Sequence, residues 1–413
     1  GAKNAVLPLL AASLLAEGTC RYRGVPRLGD VRTMAELLRR MGVEVRAEGE
    51  AIALRADSLR DPRAPGDLVH RMRASILVLG PLLARFGRAT VPLPGGCAIG
   101  RRPVDIHLEG LRALGAEVEV ADGIIRARAR RLQGARVRLR LPTVTGTENI
   151  LMAAALARGE TLIENAAREP EVDELIEVLR RMGLEVERSG GNVRVQGSPS
   201  LRGVDHRVMP DRIEAGTYLM AAAITGGRVR LLGCRPEHLE APLHKLREAG
   251  VEVRRLGEDA LEAIGPPRPR AVDVETSPYP GFPTDLQAQF MALMCLASGV
   301  SRITERVFEN RFLHVEELRR MGAQIELRGR TALVRGVDRL RGAVLRATDL
   351  RASACLVLAA LAARGTSQIL GLEHLDRGYE DLEGKLRAMG GRLRREPAAI
   401  TASPGLPAGA GTA

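Results

Sequence analysis

The sequence predicts an α/β protein of two domains, each built from three copies of a repeated βα unit. Three observations predict this fold class. The chain has 413 residues, a length typical of two or three domains. Two short phrases each recur six times at intervals of about 70 residues, which indicates an internally repeated architecture. Within each copy the spacing of apolar residues changes from a helical period to a strand period.

The first phrase is an Ala/Leu-rich run that ends in glycine. It predicts a helix that is apolar on almost every side and is therefore buried, as in Ala5–Glu17, Ile150–Arg158 and Leu350–Arg364. We expect a left-handed glycine to close each of these helices. The six glycines are Gly18, Gly87, Gly159, Gly227, Gly299 and Gly365.

The second phrase predicts an amphipathic helix, a closing glycine and then a strand such as Val43–Arg46 or Val251–Arg254. This helix has one polar face and is expected on the outside of a sheet. In the third copy the apolar residues fall three and four apart, at Val172, Leu175, Ile176, Leu179 and Met182. The closing glycines are Gly42, Gly115, Gly183, Gly250, Gly322 and Gly390.

The repeats divide the chain into a first domain at 4–209 and a second at 210–395, with residues 1–3 at the hinge. Residues 396–413, rich in Pro, Gly and Ala, are expected to form a flexible tail. The helical pattern begins at once and the chain lacks a starting Met, so we expect the N-terminus to be truncated.

Composition excludes several classes of protein. The formal net charge is +12, but the basic residues are scattered, aromatic residues are 2% and Trp is absent, which disfavours stacking on nucleic acid. Five cysteines without a CxxC pair indicate a reducing cytoplasm rather than a zinc site or a disulfide framework. The longest apolar run, Ala74–Phe86, is too short to span a bilayer, and no signal peptide is seen.

The glycine-rich stretch Pro92–His107 is the first candidate for chemistry. Glycines flank Cys97 on both sides, and Arg101 and Arg102 follow it. Glycine lets the backbone move and approach a ligand closely, and guanidinium groups suit phosphate or carboxylate. The alternative is a mobile surface loop with an unimportant thiol.

The predicted buried helices carry polar residues at their starts, where a helix attracts anions. Thr147 and Asp349 fit ordinary capping. Arg73, Arg212 and Arg351 oppose the helix dipole, which predicts that they face an anion.

Arginines among carboxylates in the loops at 165–171 and 308–312 are interpreted as structural ion pairs. Arg102 and Arg377 have glycine neighbours and are better candidates for ligand contact.

On this repeat frame the chain resembles the UDP-N-acetylglucosamine enolpyruvyl transferases, a branch of the enolpyruvyl transferase family. The resemblance runs from residue 1 to about residue 395. It is carried in order by GAKN (1–4), MRAS (72–75), LPGGCAIGRRPVD (93–105), TVTGTEN (143–149), ENAAREPE (164–171), PDRIEAGT (210–217), FPTDLQAQF (282–290), ENRFLH (309–314), TDLRAS (348–353) and DRGYE (376–380). The resemblance implies a two-domain inside-out α/β barrel with the active site in the cleft between its domains.

The resemblance also implies roles for particular residues. The implied catalytic residues are Cys97, Asp285, Lys3, Arg102 and Arg377. The implied substrate-binding residues are Lys3, Asn4, Arg73, Arg102, Pro103, Val104, Asp105, Thr143, Val144, Thr145, Gly146, Asp285, Val307, Arg351 and Arg377. Where some members have a lysine, this chain has Leu141 beside Arg140, so a direct cationic contact there is not expected.

The implied reaction transfers enolpyruvyl from phosphoenolpyruvate to the 3′-hydroxyl of UDP-N-acetylglucosamine, the first committed step of peptidoglycan synthesis. Asp285 is the implied base, and Cys97 is the implied proton donor on a closing lid. Fosfomycin, an epoxide phosphonate, is expected to alkylate Cys97, whereas Cys20, Cys234, Cys295 and Cys355 are expected to be buried. No metal and no cofactor are implied, and a monomer without nucleic-acid or membrane partners is expected.

Two other functions stay open at this point. The shikimate 3-phosphate enolpyruvyl transferases share the six-repeat architecture, although the cysteine loop and the GAKN start disfavour them. A basic nucleic-acid-binding repeat protein is the alternative from another class. It would bind with steep salt dependence and would release no phosphate.

Overall fold

The computed structural model describes residues 1–95 and 104–396. Contacts within the chain divide it into two compact units, Gly1–Glu380 and Asp381–Ala413. The division into domains at 4–209 and 210–395 stays a prediction. The tail predicted at 396–413 lies outside the described residues except for Glu396.

No helix in the described part of the chain is both long enough and apolar enough to cross a membrane.

The described α-helices are α1 (Lys3–Ala12), α2 (Gly29–Arg40), α3 (Gly66–Val69), α4 (Leu79–Phe86), α5 (Asp105–Ala113), α6 (Val144–Ala154), α7 (Pro170–Arg181), α8 (Arg212–Thr225), α9 (Glu240–Glu248), α10 (Gln287–Met294), α11 (His314–Arg320), α12 (Leu350–Ala362) and α13 (Leu382–Ala388). Short 3-10 helices span Ser13–Leu15, Arg73–Val78, Pro236–Leu239, Thr284–Leu286 and Leu375–Arg377. Helix α13 belongs to the second unit.

The described strands are β1 (Ala16–Glu17), β2 (Thr19–Arg23), β3 (Glu44–Glu48), β4 (Ala51–Arg55), β5 (Arg88–Pro92), β6 (Glu117–Ala121), β7 (Ile124–Arg128), β8 (Arg136–Arg138), β9 (Glu160–Glu164), β10 (Glu185–Ser189), β11 (Asn192–Gln196), β12 (Leu201–Arg202), β13 (Asp205–Arg207), β14 (Arg228–Leu232), β15 (Glu252–Arg255), β16 (Ala260–Ile264), β17 (Val274–Glu275), β18 (Val300–Thr304), β19 (Gln324–Arg328), β20 (Thr331–Arg335), β21 (Val344–Arg346) and β22 (Gln368–Leu370).

One strand order recurs in five of the sheets that the structure describes. In each of these sheets the third strand of the copy lies in the middle. It pairs on one side with the first strand, which follows the buried helix, and on the other side with the second strand, and both pairings are antiparallel. Tight turns join the second and third strands. Asp122 and Gly123 have φ of 52° and 72°, as a two-residue hairpin turn requires. The five orders are β2-β4-β3, β5-β7-β6, β9-β11-β10, β14-β16-β15 and β18-β20-β19.

The helices of the first phrase are buried, as predicted. Apart from their first turns, α6, α10 and α12 are made almost entirely of side chains shielded from solvent. Helices α8, α10 and α12 pack against one another. The predicted bounds differ at the ends, because α1 is Lys3–Ala12 rather than 5–17 and a 3-10 turn follows it. The predicted α/β class is confirmed, and the inside-out barrel stays a prediction.

The glycines of the second phrase all take the left-handed backbone, as predicted. Their φ values are 101°, 87°, 107°, 92°, 95° and 93°, in chain order. In the third copy the predicted apolar face of α7 is buried along its whole length.

The prediction for the first set of glycines is wrong in two respects. Gly226, not Gly227, has the positive φ and caps α8, because the first glycine of the pair already ends the helix. Within the described helices only Gly87 and Gly226 are left-handed caps. The other glycines of this set lie beyond the helix ends, where they turn the chain into the next strand.

The left-handed glycine between α7 and β10 generates a prediction about stability. Gly183→Ala is expected to lower the free energy of unfolding by about 1 kcal/mol, because a Cβ disfavours φ of 107°. Gly191→Ala is the control, since Gly191 has no positive φ and its added Cβ would meet nothing closer than 3.9 Å. Thermal unfolding of both variants checks this. Equal losses for the two would contradict it.

Candidate active site

Polar residues at four helix starts meet in one place. Asp211 caps α8 with one carboxylate oxygen, and its other oxygen accepts a hydrogen bond from the Lys3 backbone N–H at 3.2 Å. Asp285 lies in the 3-10 turn that leads into α10, and Arg351 lies in the first turn of α12. Helices α8, α10 and α12 pack together, and contacts of Asp285 with Arg351 and of Lys3 with Asp211 show that their starts and the start of α1 meet.

Asp285 is the centre of the first cluster of charges. Arg311 Nη2 donates to Asp285 Oδ1 at 2.6 Å, and Arg351 Nη2 donates to Oδ2 at 2.8 Å. Asn4 Nδ2 also donates to Oδ2, at 3.4 Å. Both arginine side chains are almost fully buried, while Asp285 is 25% exposed. The carboxylate therefore faces two desolvated cations and still reaches the solvent side of the cluster.

The charge state of Asp285 follows from these neighbours. Burial raises the pKa of this carboxyl, but Arg351, Arg311 and Lys3 outweigh burial and hold the pKa well below its usual range. Asp285 is therefore ionised throughout the physiological range of pH. In this arrangement it is a hydrogen-bond acceptor and a weak base.

Asp30, at the start of α2, is the centre of the second cluster. Its Oδ1 accepts from Arg377 Nε at 2.8 Å, and its Oδ2 accepts from Lys3 Nζ at 3.2 Å. The carboxylate is 5% exposed, whereas the Arg377 side chain is 40% exposed. One buried carboxylate thus holds cations from the two ends of the first unit.

Lys3 connects the two clusters electrostatically. Burial lowers the pKa of its ammonium, Asp30 raises it, and Arg351 lowers it again, with a net lowering. Burial raises the pKa of Asp30, but Lys3 and Arg377 outweigh burial and lower it. Lys3, Arg311, Arg351 and Arg377 are four cations. They face the carboxylates of Asp30 and Asp285, with Asp211 as a third carboxylate nearby, and the remaining positive charge suits an anionic ligand.

A buried carboxylate, Glu305, positions the segment that holds Val307. Glu305 Oε1 accepts from the Val307 backbone N–H at 2.8 Å, and its Oε2 accepts from Thr284 Oγ1 at 2.8 Å. Arg311 Nη1 also donates to Thr284 Oγ1, at 2.9 Å. Val307 and Asp285, two of the expected contacts, therefore share one hydrogen-bond network.

The other expected contacts lie in the first half of the chain. Thr143 caps α6, and its Oγ1 accepts from the Gly146 backbone N–H at 3.4 Å. Val144 and Thr145 form the first turn of this helix. Val104 directly precedes α5, and Asp105 is its first residue. Arg73 begins a 3-10 helix.

Arg140 forms an ion pair with Asp105 and lies 3.8 Å from Glu109. Leu141 beside it is 58% exposed. Arg140 thus neutralises an expected contact residue, Asp105.

The arginines predicted to face an anion differ in their partners. Arg351 faces Asp285, and Arg212 forms a buried pair with Glu171 at 2.9 Å. In both cases the anion in this structure is a carboxylate of the chain itself. Arg73 contributes positive charge beside His107, whose pKa it helps to lower.

Several expected residues lie outside the described ranges: Cys97, Arg101, Arg102 and Pro103. The other four cysteines are buried, as predicted. Burial raises the pKa of each thiol, to about 12 for Cys295. These four thiols therefore stay protonated at neutral pH.

Sequence analysis missed Asp30, and it assigned Arg311 to a structural ion pair. Asp30 lies at the start of an ordinary amphipathic helix, where an acidic residue is common. The sequence around it therefore does not indicate a functional role. Arg311 contacts Asp285, an expected site residue, and this contact depends on the packing of the 308–312 loop.

Comparisons with known proteins identify the family. The sequence model of the EPSP synthase (3-phosphoshikimate 1-carboxyvinyltransferase) family matches residues 1–386. Two curated relatives are named UDP-N-acetylglucosamine 1-carboxyvinyltransferase. The one from Halorhodospira halophila is 56% identical over 399 residues, covering 96% of this chain and 95% of the relative. The one from Nitratidesulfovibrio vulgaris is 55% identical over 397 residues, with the same coverage.

Solved structures resemble the chain as well. The enolpyruvyl transferase NikO from Streptomyces tendae has a TM-score of 0.86 and 27% identity, covering 95% of this chain and 94% of its own. EPSP synthase from Acinetobacter baumannii has a TM-score of 0.70 at 20% identity, covering 91% of both chains, which shows a shared fold. The resemblance found in the sequence is confirmed: this chain belongs to the EPSP synthase family of enolpyruvyl transferases.

Proposed function

We propose that this chain transfers the enolpyruvyl group of phosphoenolpyruvate to the 3′-hydroxyl of UDP-N-acetylglucosamine and releases phosphate. The near full-length relatives that carry this activity in their name support the proposal. The reaction is the first committed step of peptidoglycan synthesis. The protein is proposed to act in the cytoplasm as a monomer.

The observation that carries the proposal is the convergence of cations around the helix starts. Both substrates are polyanions. Phosphoenolpyruvate bears a carboxylate, which stays on the transferred group, and a phosphate, which leaves. Lys3, Arg351 and Arg377 come from distant parts of the sequence and lie around two carboxylates in one place. Preorganised cations of this kind stabilise charge that develops during group transfer.

The proposed chemistry is addition followed by elimination. The 3′-hydroxyl oxygen attacks C2 of phosphoenolpyruvate and gives its proton to a base, while C3 gains a proton and becomes a methyl group. C3 then loses a proton, the bond between C2 and the phosphate oxygen breaks, and inorganic phosphate leaves. The product is an enol ether.

Asp285 is the proposed base at the 3′-hydroxyl. Its low pKa makes it a weak base as long as both arginines contact it. Arg351 is also a proposed partner of phosphoenolpyruvate. When Arg351 turns toward the substrate carboxylate, Asp285 loses a cation partner and its basicity rises. Substrate binding would therefore activate the base.

Asp30 is proposed to hold Lys3 and Arg377 until phosphoenolpyruvate binds. Two cations close together repel each other, and the shared carboxylate offsets that repulsion. The substrate phosphate can take over the same role because it offers several acceptor oxygens. The cations are thus already in place when the substrate arrives.

Cys97 and Arg102 are proposed from the resemblance to supply the proton for C3 and a cation for phosphate. The neighbouring Arg101 and Arg102 favour the thiolate form of Cys97, so bound substrate anions would be needed to keep this thiol protonated. Arg73, Pro103 to Asp105, Thr143 to Gly146 and Val307 are proposed to contact the UDP-sugar.

The experiment that tests this function measures free phosphate. Purified protein with phosphoenolpyruvate is expected to release phosphate when UDP-N-acetylglucosamine is added. Shikimate 3-phosphate in its place tests the sister activity that gives the family its name. Two outcomes would overturn the proposal. One is phosphate release with shikimate 3-phosphate but not with UDP-N-acetylglucosamine, and the other is no phosphate release with either acceptor.

Removing the charge of Asp285 tests its role as base. Asp285→Asn is expected to lower kcat by about 100-fold or more, because general bases typically contribute 10²- to 10⁴-fold. Asp338→Asn is the matched control, since Asp338 is an exposed partner of Arg268. Steady-state phosphate release checks both. A kcat of Asp285→Asn equal to that of the control would exclude the role.

The depressed pKa of Asp30 predicts how stability depends on pH. A carboxyl with a lowered folded-state pKa stabilises the fold above its unfolded value, about 3.9, and loses this contribution as pH falls through the folded-state pKa. Asp30→Asn is expected to lower the free energy of unfolding by about 2 kcal/mol at pH 7. This loss lies between those typical of breaking an exposed and a buried ion pair.

The difference in melting temperature between wild type and Asp30→Asn should therefore be largest above about pH 5 and shrink below about pH 4. Thermal melts across this range check it, with Asp338→Asn as the control. A difference that stays constant with pH would show that the charge of Asp30 is not what stabilises the fold.

A further inference from the structure

His107 lies in a hydrogen-bond network that the proposed mechanism does not use. The network centres on Asn149, a fully buried residue of α6. Asn149 Oδ1 accepts from the Gly80 backbone N–H at 2.6 Å, and Asn149 Nδ2 donates to the Ile76 carbonyl at 3.0 Å. Gly80 and Ile76 are four residues apart, so the amide inserts where an α-helical hydrogen bond would otherwise form. The 3-10 helix changes to α4 at this point.

The backbone fixes which way the Asn149 amide points. A backbone N–H can only donate and a carbonyl can only accept, so Oδ1 must face Gly80 and Nδ2 must face Ile76. The second hydrogen of Nδ2 points to His107 Nδ1, at 3.0 Å. His107 Nδ1 therefore accepts a hydrogen bond and carries no proton.

His107 is a neutral imidazole at physiological pH. Its side chain is buried, and burial together with the positive charge of Arg73 lowers its pKa to about 3. A neutral imidazole has one proton, and Nδ1 carries none, so the proton is on Nε2. His107 Nε2 lies 3.4 Å from Thr145 Oγ1.

Close packing of three helices makes this geometry possible. A Cβ on Gly80 would lie 2.4 Å from Asn149 Oδ1, and one on Gly110 would lie 2.2 Å from Ile150 Cδ1. Only glycine at these positions lets α4 and α5 approach α6 so closely. Gly110 is one turn after His107 on α5, which places the imidazole against the first turn of α6.

We propose that His107 is a positioning residue that directs the Thr145 hydroxyl toward an acceptor oxygen of the UDP-sugar. Because His107 Nε2–H donates to Thr145 Oγ1, the hydroxyl hydrogen of Thr145 points away from the imidazole. Thr145 lies in the half-buried start of α6, within the stretch proposed to contact the nucleotide sugar. The inference rests on the proposed function, since it assigns a donor to that substrate.

The first test is the tautomer itself, which is read without any substrate. Long-range ¹H–¹⁵N correlation spectra of histidine-labelled protein distinguish a protonated from an unprotonated ring nitrogen. The His107 signal is assigned by its loss in His107→Gln. A protonated Nε2 and an unprotonated Nδ1 are expected from pH 6 to pH 8. A proton on Nδ1, or on both nitrogens, would overturn the inference.

Two substitutions separate positioning from packing. His107→Gln can place an amide N–H near the position of Nε2, which preserves the donor to Thr145. His107→Asn can place an oxygen near the position of Nδ1, which preserves the acceptor for Asn149. The Kd for UDP-N-acetylglucosamine, measured by calorimetry, is expected to rise about tenfold in His107→Asn and less than about threefold in His107→Gln. The KM for phosphoenolpyruvate is expected to stay unchanged in both.

The opposite order of the two variants, or equal Kd values, would show that His107 only supports packing. A second pair keeps the test valid if a His107 variant fails to fold. Thr145→Val is expected to raise the same Kd about tenfold, whereas Thr145→Ser keeps the hydroxyl and most of the affinity. Adding His107→Asn to Thr145→Val should cause no further loss, because both remove one interaction.

The outcomes also separate this inference from the proposed function. If wild-type protein neither binds UDP-N-acetylglucosamine nor releases phosphate with it, the proposed function fails and the role of His107 fails with it. If wild type binds and turns over but the variants do not separate, only the inference about His107 fails.

Discussion

The site depends on two carboxylates that each hold two cations in a place where water is scarce. Asp285 contacts Arg311 and Arg351, and Asp30 contacts Lys3 and Arg377. Without these carboxylates, four positive groups would repel one another beside the starts of packed helices, whose dipoles add to the positive potential. Burial already lowers the pKa of Lys3, which shows how costly its charge is there. The protein carboxylates thus offset part of the positive charge of the site, and the part that remains can attract an anionic ligand.

This balance links binding to chemistry. In the proposed reaction, a substrate carboxylate or phosphate would compete with Asp30 and Asp285 for the same cations. Each cation that moves to the substrate leaves a protein carboxylate less stabilised and therefore more basic. The proposed base thus becomes effective when the site is filled. The same buried groups also contribute to folding, so charge changes here are expected to affect both stability and the proposed activity.

The repeated unit explains why the charges gather. Each copy contains a buried helix, and the copies pack these helices side by side, as α8, α10 and α12 do. The apolar bodies of the helices form most of the core, and most of the charged residues lie toward the helix starts. In the first half, Asn149 of α6 and His107 of α5 form a buried polar network, and glycines at 80 and 110 let the neighbouring helices approach. Packing therefore converts a repeated pattern into a local concentration of polar groups.

Much of the fold and part of the site could be predicted from the sequence. Apolar periodicity and recurring glycines determined the buried helices, the outer helix of the third copy and the left-handed turns at Gly42 to Gly390, because these depend on local spacing and on the missing Cβ of glycine. Similarity of ten motifs indicated the family and pointed to Lys3, Asp285 and Arg377. Helix ends were less certain, and Gly226 rather than Gly227 caps α8, because both glycines fit the pattern equally well.

Only the tertiary structure decided which charges neutralise one another. Asp30 and Arg377 are 347 positions apart, and their contact depends on how the packed copies bring the start of α2 to the segment before residue 380. The proton that we place on His107 Nε2 likewise depends on backbone groups of Gly80 and Ile76, which act through Asn149. A sequence specifies donors, acceptors and charges, but their partners are chosen by distance, and distance is set when the helices pack.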